Sequence, residues 1–269
     1  MSALAYAVTD SATMLRRNVK HQLRYPSVTL MLVGMPIVFL LLFVYVFGGQ
    51  LGAGLGAHQA GHGNRTAYLT YVVPGILIMT VASAALGTAL SVAMDMTEGI
   101  IDRFRTMAIA RGAVLTGHVL GSLIQTVIGL AIVLGVALAI GYRPTAGPLA
   151  WLAAVGVLLL FALSLVCLSA ALGLAAKSVE TASNTPMFLT LLPLLSSGFV
   201  PTSTMPDGLR QFAEYQPYTP VTQTVRGLLS ATHTAPHAIA AVAWSLGIAA
   251  ASYLWAVRLY NRRRAADPK

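Results

Sequence analysis

The sequence predicts an all-α integral membrane protein with six transmembrane helices, and three observations predict it. Of 269 residues, 57% are hydrophobic and 9% are charged, against about 25% charged in an ordinary soluble domain. Mean hydropathy is +0.74, and apolar runs of the roughly 20 residues that a bilayer core demands recur along the chain. The cations are also sorted between alternate loops. Of the 17 Lys and Arg, Arg16, Arg17, Lys20, Arg24, Arg103, Arg105, Arg111, Lys177, Arg258, Arg262, Arg263, Arg264 and Lys269 fall in the two tails and the loops on their side. Only Arg65, Arg143, Arg210 and Arg226 fall in the others. This positive-inside asymmetry places both termini in the cytoplasm, and that requires an even number of spans.

The net charge of +9 therefore belongs to a membrane surface, and no nucleic-acid partner is expected. Cys167 is the only cysteine and lies in the middle of an apolar run. A disulfide framework and a thiolate metal site are both excluded.

Residues 1–26 read as a cytoplasmic amphipathic interface helix. Leu4, Val8, Leu15, Val19 and Leu23 recur at helical spacing, while Arg16, Arg17, Lys20 and Arg24 take other faces toward anionic headgroups. Pro26 stops it. Residues 27–258 form one transmembrane domain, with spans at about 28–47, 71–94, 117–140, 149–176, 181–200 and 238–257. Residues 259–269 are a basic cytoplasmic tail. The first span starts too late and runs too long for a cleaved signal peptide. The Gly-rich loop after it carries His58 and His62 four apart but no third ligand, so no metal site is expected. Asn64-Arg65-Thr66 matches a glycosylation sequon by pattern alone.

Between spans 2 and 3 stands EGIIDRFRTMAIAR, residues 98–111, the most charge-dense stretch inside the oily chain. On a helix Glu98, Asp102 and Arg105 fall on one side, while Ile100, Phe104, Met107 and Arg111 run down another. Such a segment can anchor and pair at once, which suits the grip of a partner protein. Between spans 5 and 6, Pro206 and Pro220 each suit the first turn of a short helix, and Leu209 with Phe212, then Val221, Val225 and Leu228, align along their faces. Each helix has at most about 11 residues, about 16 Å, so neither crosses a core about 30 Å thick. Two re-entrant helices that dip into the outer leaflet satisfy this pattern, with the polar break Glu214–Thr219 covered by protein or a water-filled cavity. Two helices lying flat on the outer surface satisfy it as well.

Chemistry is nearly absent from the spans, where His118 is the closest approach to an ionisable residue in a central portion. Intramembrane charges mark ion and proton pathways, so a proton-coupled transporter or ion channel is disfavoured and a hydrophobic or amphipathic cargo is favoured. The chain cannot bind ATP by a phosphate loop of its own. The nearest string, ALGLAAKS, has Ala171 and Ala176 where glycines must admit the phosphates. No hydrolase or intramembrane-protease motif occurs. An enzyme would have to rest on Asp207, Glu214, His233 and His237, which stand in turns as solvated acids and histidines do.

With spans and orientation in place, the chain resembles the ABC-2 type permeases, and among them the daunorubicin/doxorubicin-resistance permease group of ABC exporters. The resemblance rests on two motifs over nearly the whole length. That family has an acid, a Gly, then an acid-Arg-hydrophobic-Arg run ending in a basic residue. Glu98, Gly99, Asp102, Arg103, Phe104, Arg105 and Arg111 occupy those places, with Met107-Ala108 where the family often has Thr-Pro. The second motif spans Ser196 to Leu229, where Gly198, Pro201, Pro206, Glu214, Pro217 and Arg226 match and Gln216 replaces the usual Asn. The resemblance implies an ABC-2, or type V exporter-like, fold in which the first motif is the coupling helix and the second the outer re-entrant gate. It implies a permease dimer, expected to be a homodimer, that binds two copies of an ABC nucleotide-binding subunit. ATP and Mg would sit on those subunits, with no cofactor on this chain. Cargo would be a drug, lipid or glycoconjugate. The rival reading is a membrane scaffold or channel-like protein without an ATPase partner; a lipid-modifying membrane enzyme lacks its residues.

Overall fold

Apolar runs become long helices here because hydrocarbon offers no partner for backbone N–H and C=O groups, which a helix satisfies within its own segment. The computed structural model describes residues 26–54, 62–97, 113–176, 178–232 and 234–265, together with Arg16. Helix α1 (Pro26–Leu41) passes through a π-helical stretch (Leu42–Phe47) into α2 (Gly48–Gly54). Three long helices follow: α3 (His62–Thr97), α4 (Ala113–Ala139) and α5 (Pro148–Ala175). Then come α6 (Val179–Asn184), α7 (Met187–Leu191) and a 3-10 turn (Leu192–Leu195). A second 3-10 turn (Thr202–Thr204) leads to α8 (Asp207–Tyr215), α9 (Tyr218–Leu229) and α10 (Ala235–Ala265). There is no strand among the described residues.

Among the described residues, five helical stretches are long and apolar enough to cross a membrane: Leu32–Ala53, Arg65–Asp95, Thr116–Ala139, Pro148–Ala175 and Ala235–Leu259. They match the expected first, second, third, fourth and sixth spans. The expected fifth span, 181–200, is not one helix. Pro186 and Pro193 lack the N–H that continues a helix, although Thr185 and Leu192 before them keep helical angles. The chain answers with short 3-10 steps, Leu189 N–H donating to Pro186 O at 2.9 Å and Ser196 N–H to Pro193 O at 3.2 Å. The result is a broken helical path through the same residues.

The ends of the long helices follow local chemistry. After α4, Gly141 adopts φ +110°, and Gly141 N–H donates to Leu138 O while Tyr142 N–H donates to Ala137 O. This is the Schellman closure, which needs a residue without Cβ at that point. Pro148 then opens α5, where its missing N–H has no intrahelical use.

Helix α3 is the axis of the bundle. It packs against α1, α2, α4, α5, α6, α7 and α9, and 78% of its apolar window is buried, against 17% for α10. Val72, Val73, Ile76, Leu77, Ile78, Val81, Ala82 and Ala85 are all buried, around the whole circumference of the helix. A helix apolar all round suits that position. Its crossing with α5 brings backbones into contact: a Cβ on Gly173 would lie 2.7 Å from Ala89 O. Small residues at such crossings supply the dispersion contacts that replace the hydrophobic effect within a bilayer. Large apolar side chains such as Leu30, Met35, Val38, Ile239, Leu246 and Leu254 point outward, as lipid-facing residues do.

Several expected features lie outside the described residues: the interface helix with Arg17, Lys20 and Arg24, the whole charged stretch from Glu98 through Gly99, Asp102, Arg103, Phe104 and Arg105 to Arg111, and His58, Lys177 and His233. Arg16 is described, as an exposed helical residue. Helix α10 runs through the basic tail as far as Ala265.

Candidate functional site

The second sequence motif folds into two unlike halves. Helix α8 starts where Pro206 predicts, with Arg210 N–H donating to Pro206 O at 2.8 Å. It lies at the surface, with Leu209, Phe212 and Tyr215 exposed and only Ala213 buried. Glu214 accepts from Arg210 Nε at 2.9 Å and from Thr202 Oγ1 at 3.3 Å. This is an exposed i, i+4 pair of the kind that contributes little to stability.

Helix α9 is the opposite case. Tyr218, Thr219, Pro220, Val221, Thr222, Thr224, Val225, Gly227 and Leu229 are buried, and α9 packs among α3, α5 and α10. It begins at Tyr218, two residues before the expected start, so Pro220 occupies its third position. A first-turn N–H has no intrahelical acceptor, and proline is tolerated there as well.

Polar contacts tie α9, the first turns of α3 and the turn after Leu195 into one knot. Arg226 Nη2 donates to Ser197 O at 2.7 Å, and Arg226 Nε donates to Tyr71 O at 3.2 Å. The guanidinium carbon sits 3.8 Å from the centroid of the Tyr71 ring, a stacking that stabilises a cation away from water. Tyr71 Oη donates to the same Ser197 O at 2.8 Å, and Tyr68 Oη donates to Phe199 O at 3.1 Å. Ser197 N–H donates to Thr219 Oγ1 at 3.1 Å, and Gln216 Nε2 to Leu195 O at 2.6 Å. Tyr218 Oη reaches Leu189 O at 2.9 Å, with its ring edge-on to Phe161. The backbones touch as well: a Cβ on Gly75 would lie 2.6 Å from Gly198 O. That contact requires Gly75 to have no side chain.

Of the expected gate residues, Gly198, Gln216 and Arg226 meet in this knot. Pro201 and Pro217 flank it, and Pro206 and Glu214 stand apart on α8. Sequence reasoning missed Tyr68, Tyr71, Gly75, Ser197 and Thr219. The i, i+3 tyrosines ahead of an apolar run were the available signal. Two buried oxygens of the knot, Ser197 Oγ and Gln216 Oε1, have no hydrogen-bond partner among the described residues. Arg226 forms no ion pair among them either. The arrangement binds backbone to backbone and leaves polar capacity to spare.

At the far end of α3, about 36 Å from Tyr71 at 1.5 Å per residue, Asp95 Oδ2 lies 3.0 Å from His118 Nε2 of α4. Both side chains are largely buried. Two turns nearer the bundle centre on α3 and one turn nearer on α4, Thr88 Oγ1 donates to Ser122 Oγ at 2.8 Å. Asp95 escaped the sequence reading because it stands where the second span was taken to have ended. Among the described residues no group of three His, Cys, Asp or Glu could hold a metal ion.

A family model described as ABC-2 type transporter matches residues 10–230. The chain is 31% identical over 265 residues, 98% of its own length and 90% of the relative's, to the daunorubicin resistance ABC transporter permease protein DrrB1 of Streptomyces coeruleorubidus. It is 20% identical over 214 residues, 80% of this chain and 74% of the relative, to the "Probable doxorubicin resistance ABC transporter permease protein DrrC" of Mycobacterium tuberculosis strain H37Rv.

Proposed function

The chain belongs to the ABC-2 type transporter family, and on that premise we propose that it is the membrane subunit of an ATP-binding-cassette exporter for hydrophobic or amphipathic cargo. It is a multi-pass membrane protein of permease type. ATP hydrolysis belongs to a separate nucleotide-binding subunit, two copies of which, with ATP and Mg, serve a homodimer of this chain. The cargo reading draws on the drug-resistance names of the relatives and on spans that offer no ionic binding group along their centres.

The six-crossing topology completes the reading. The broken path 179–200 serves as the fifth crossing, so that both termini face the cytoplasm. The helix over 2–24 then lies on the inner surface, and Glu98 to Arg111 is the coupling helix that docks in a groove of the ATPase. The knot at Tyr71, Ser197 and Arg226 falls at the outer end, where the 196–229 segment is the re-entrant gate.

One observation supports this gate above all. Helix α9 has 12 residues, about 18 Å and too short to cross a bilayer, yet it is buried within the bundle. Irregular backbone at membrane depth is tolerated only where protein or a water-filled cavity covers it. The unpartnered Ser197 Oγ and Gln216 Oε1 are suited to such a cavity, since buried polar groups are satisfied by ordered water.

The test uses inside-out vesicles holding the chain and its co-expressed ATPase, with daunorubicin and a fluorescent short-chain phospholipid as probes. ATP-dependent accumulation of either probe, lost on charge reversal at Glu98 or Asp102 while membrane insertion persists, is the expected result. Unchanged accumulation in both reversed variants would remove the coupling assignment. Probe movement that ignores ATP would favour a channel.

A further inference from the structure

The Asp95–His118 pair joins ionisable side chains of two different long helices. The pair stands at the ends of its two helices and is still largely buried, so it is held there against a desolvation cost. Its position says what the role is. Asp95 stands near the end of α3 and His118 near the start of α4, so the pair closes the two ends between which residues 98–112 run. Thr88–Ser122 fastens the same two helices nearer the centre.

We propose that Asp95 and His118 form the strut that makes α3 and α4 move as one lever, passing displacement at this end of the two helices along α3 to the Tyr71–Ser197–Arg226 knot. This rests on the exporter reading above. The geometry is suited to the task. Helix α3 is the axis of the bundle, and its far end is tied to the knot by Tyr71 Oη and the Tyr71 carbonyl. A displacement at one end of a helix reaches the other only if the end is held. Without the strut, the ends of α3 and α4 would splay, and the displacement would be spent in local bending. Asp95 and His118 are positioning residues, since neither is placed on ATP or cargo.

The experiment uses full-length chains in a Cys167→Ala background, co-expressed with the ATPase subunit. A single reporter cysteine replaces Thr204, an exposed residue beside the knot. Labelling by an impermeant maleimide is followed with and without ATP, alongside ATP hydrolysis and ATPase co-purification. Removing one partner of a buried hydrogen bond leaves the other unsatisfied and changes an equilibrium by about ten-fold or more. Asp95→Ala and His118→Ala should therefore lose the ATP-dependent change in labelling by that factor while hydrolysis and co-purification persist. The exchange Asp95→His with His118→Asp should restore it, which a general packing defect would not do. If either alanine variant fails to accumulate, Asp95→Asn and His118→Gln, close in shape, replace them in the same assay. Single variants that respond to ATP like the parent overturn the strut and leave the exporter reading intact. A parent that recruits no ATPase overturns the exporter reading, and the strut with it.

Discussion

Arg226 shows how one side chain can tie segments of the bundle together with no acid paired to it among the described residues. Its donors meet two backbone carbonyls from segments 155 and 29 residues away, and its face rests on Tyr71. Hydrogen bonds to a charged group contribute about 1.5–3 kcal/mol each. Arg226→Ala is therefore expected to lower the detergent-solubilised protein's stability by about 3 kcal/mol or more, read as a fall in Tm. Arg226→Lys should recover only part of this, because an ammonium cannot reproduce the fork that reaches both carbonyls. Glu214→Ala removes an exposed pair and should leave Tm unchanged. Gly75→Ala drives a methyl against Gly198 O, and overpacking of this kind costs about 1–3 kcal/mol. An Arg226→Ala protein as stable as the parent would remove the knot as a structural tie. The sequence marked Gly198, Gln216 and Arg226 through their motif. It did not mark Tyr71, although the i, i+3 tyrosines before the apolar run were a signal, nor Ser197 and Thr219, whose roles come from contacts with no local pattern.

At the scale of elements, apolar length was a sound guide for five spans, because a run of about 20 apolar residues has no better solution in lipid than a helix. The same rule misread residues 181–200 by counting hydrophobicity and passing over Pro186 and Pro193. Amphipathicity also treated α8 and α9 as a matched pair, whereas packing buries α9 and exposes α8. That difference is measurable. In a Cys167→Ala background, single cysteines at Val221 and Val225 should resist an impermeant thiol reagent, while cysteines at Asp207 and Gln211 should label. Uniform labelling across both helices would contradict the burial of α9. The interface helix carries its own expectation. Four cations and a periodic apolar stripe suit a headgroup surface, so deletion of residues 2–24 should weaken ATPase recruitment. Full recruitment and transport after deletion would refute that role.

At the scale of the whole molecule, membrane class and family were legible because composition, charge sorting and two motifs agree along nearly the entire chain. Cargo was not, since no charged group in the spans dictates a ligand. On the proposed function the molecule is one half of a machine whose energy enters through residues 98–111 and whose exit lies at α9, and it works as a dimer with two separate ATPase subunits. Native mass spectrometry of the chain, captured gently from its own membranes, tests this most directly. The expected result is a complex of two copies of this chain with two copies of a Walker-motif subunit, which dissociates to the permease alone when Glu98 and Asp102 are both reversed in charge. A chain recovered intact from those membranes with no nucleotide-binding subunit in any complex would contradict it.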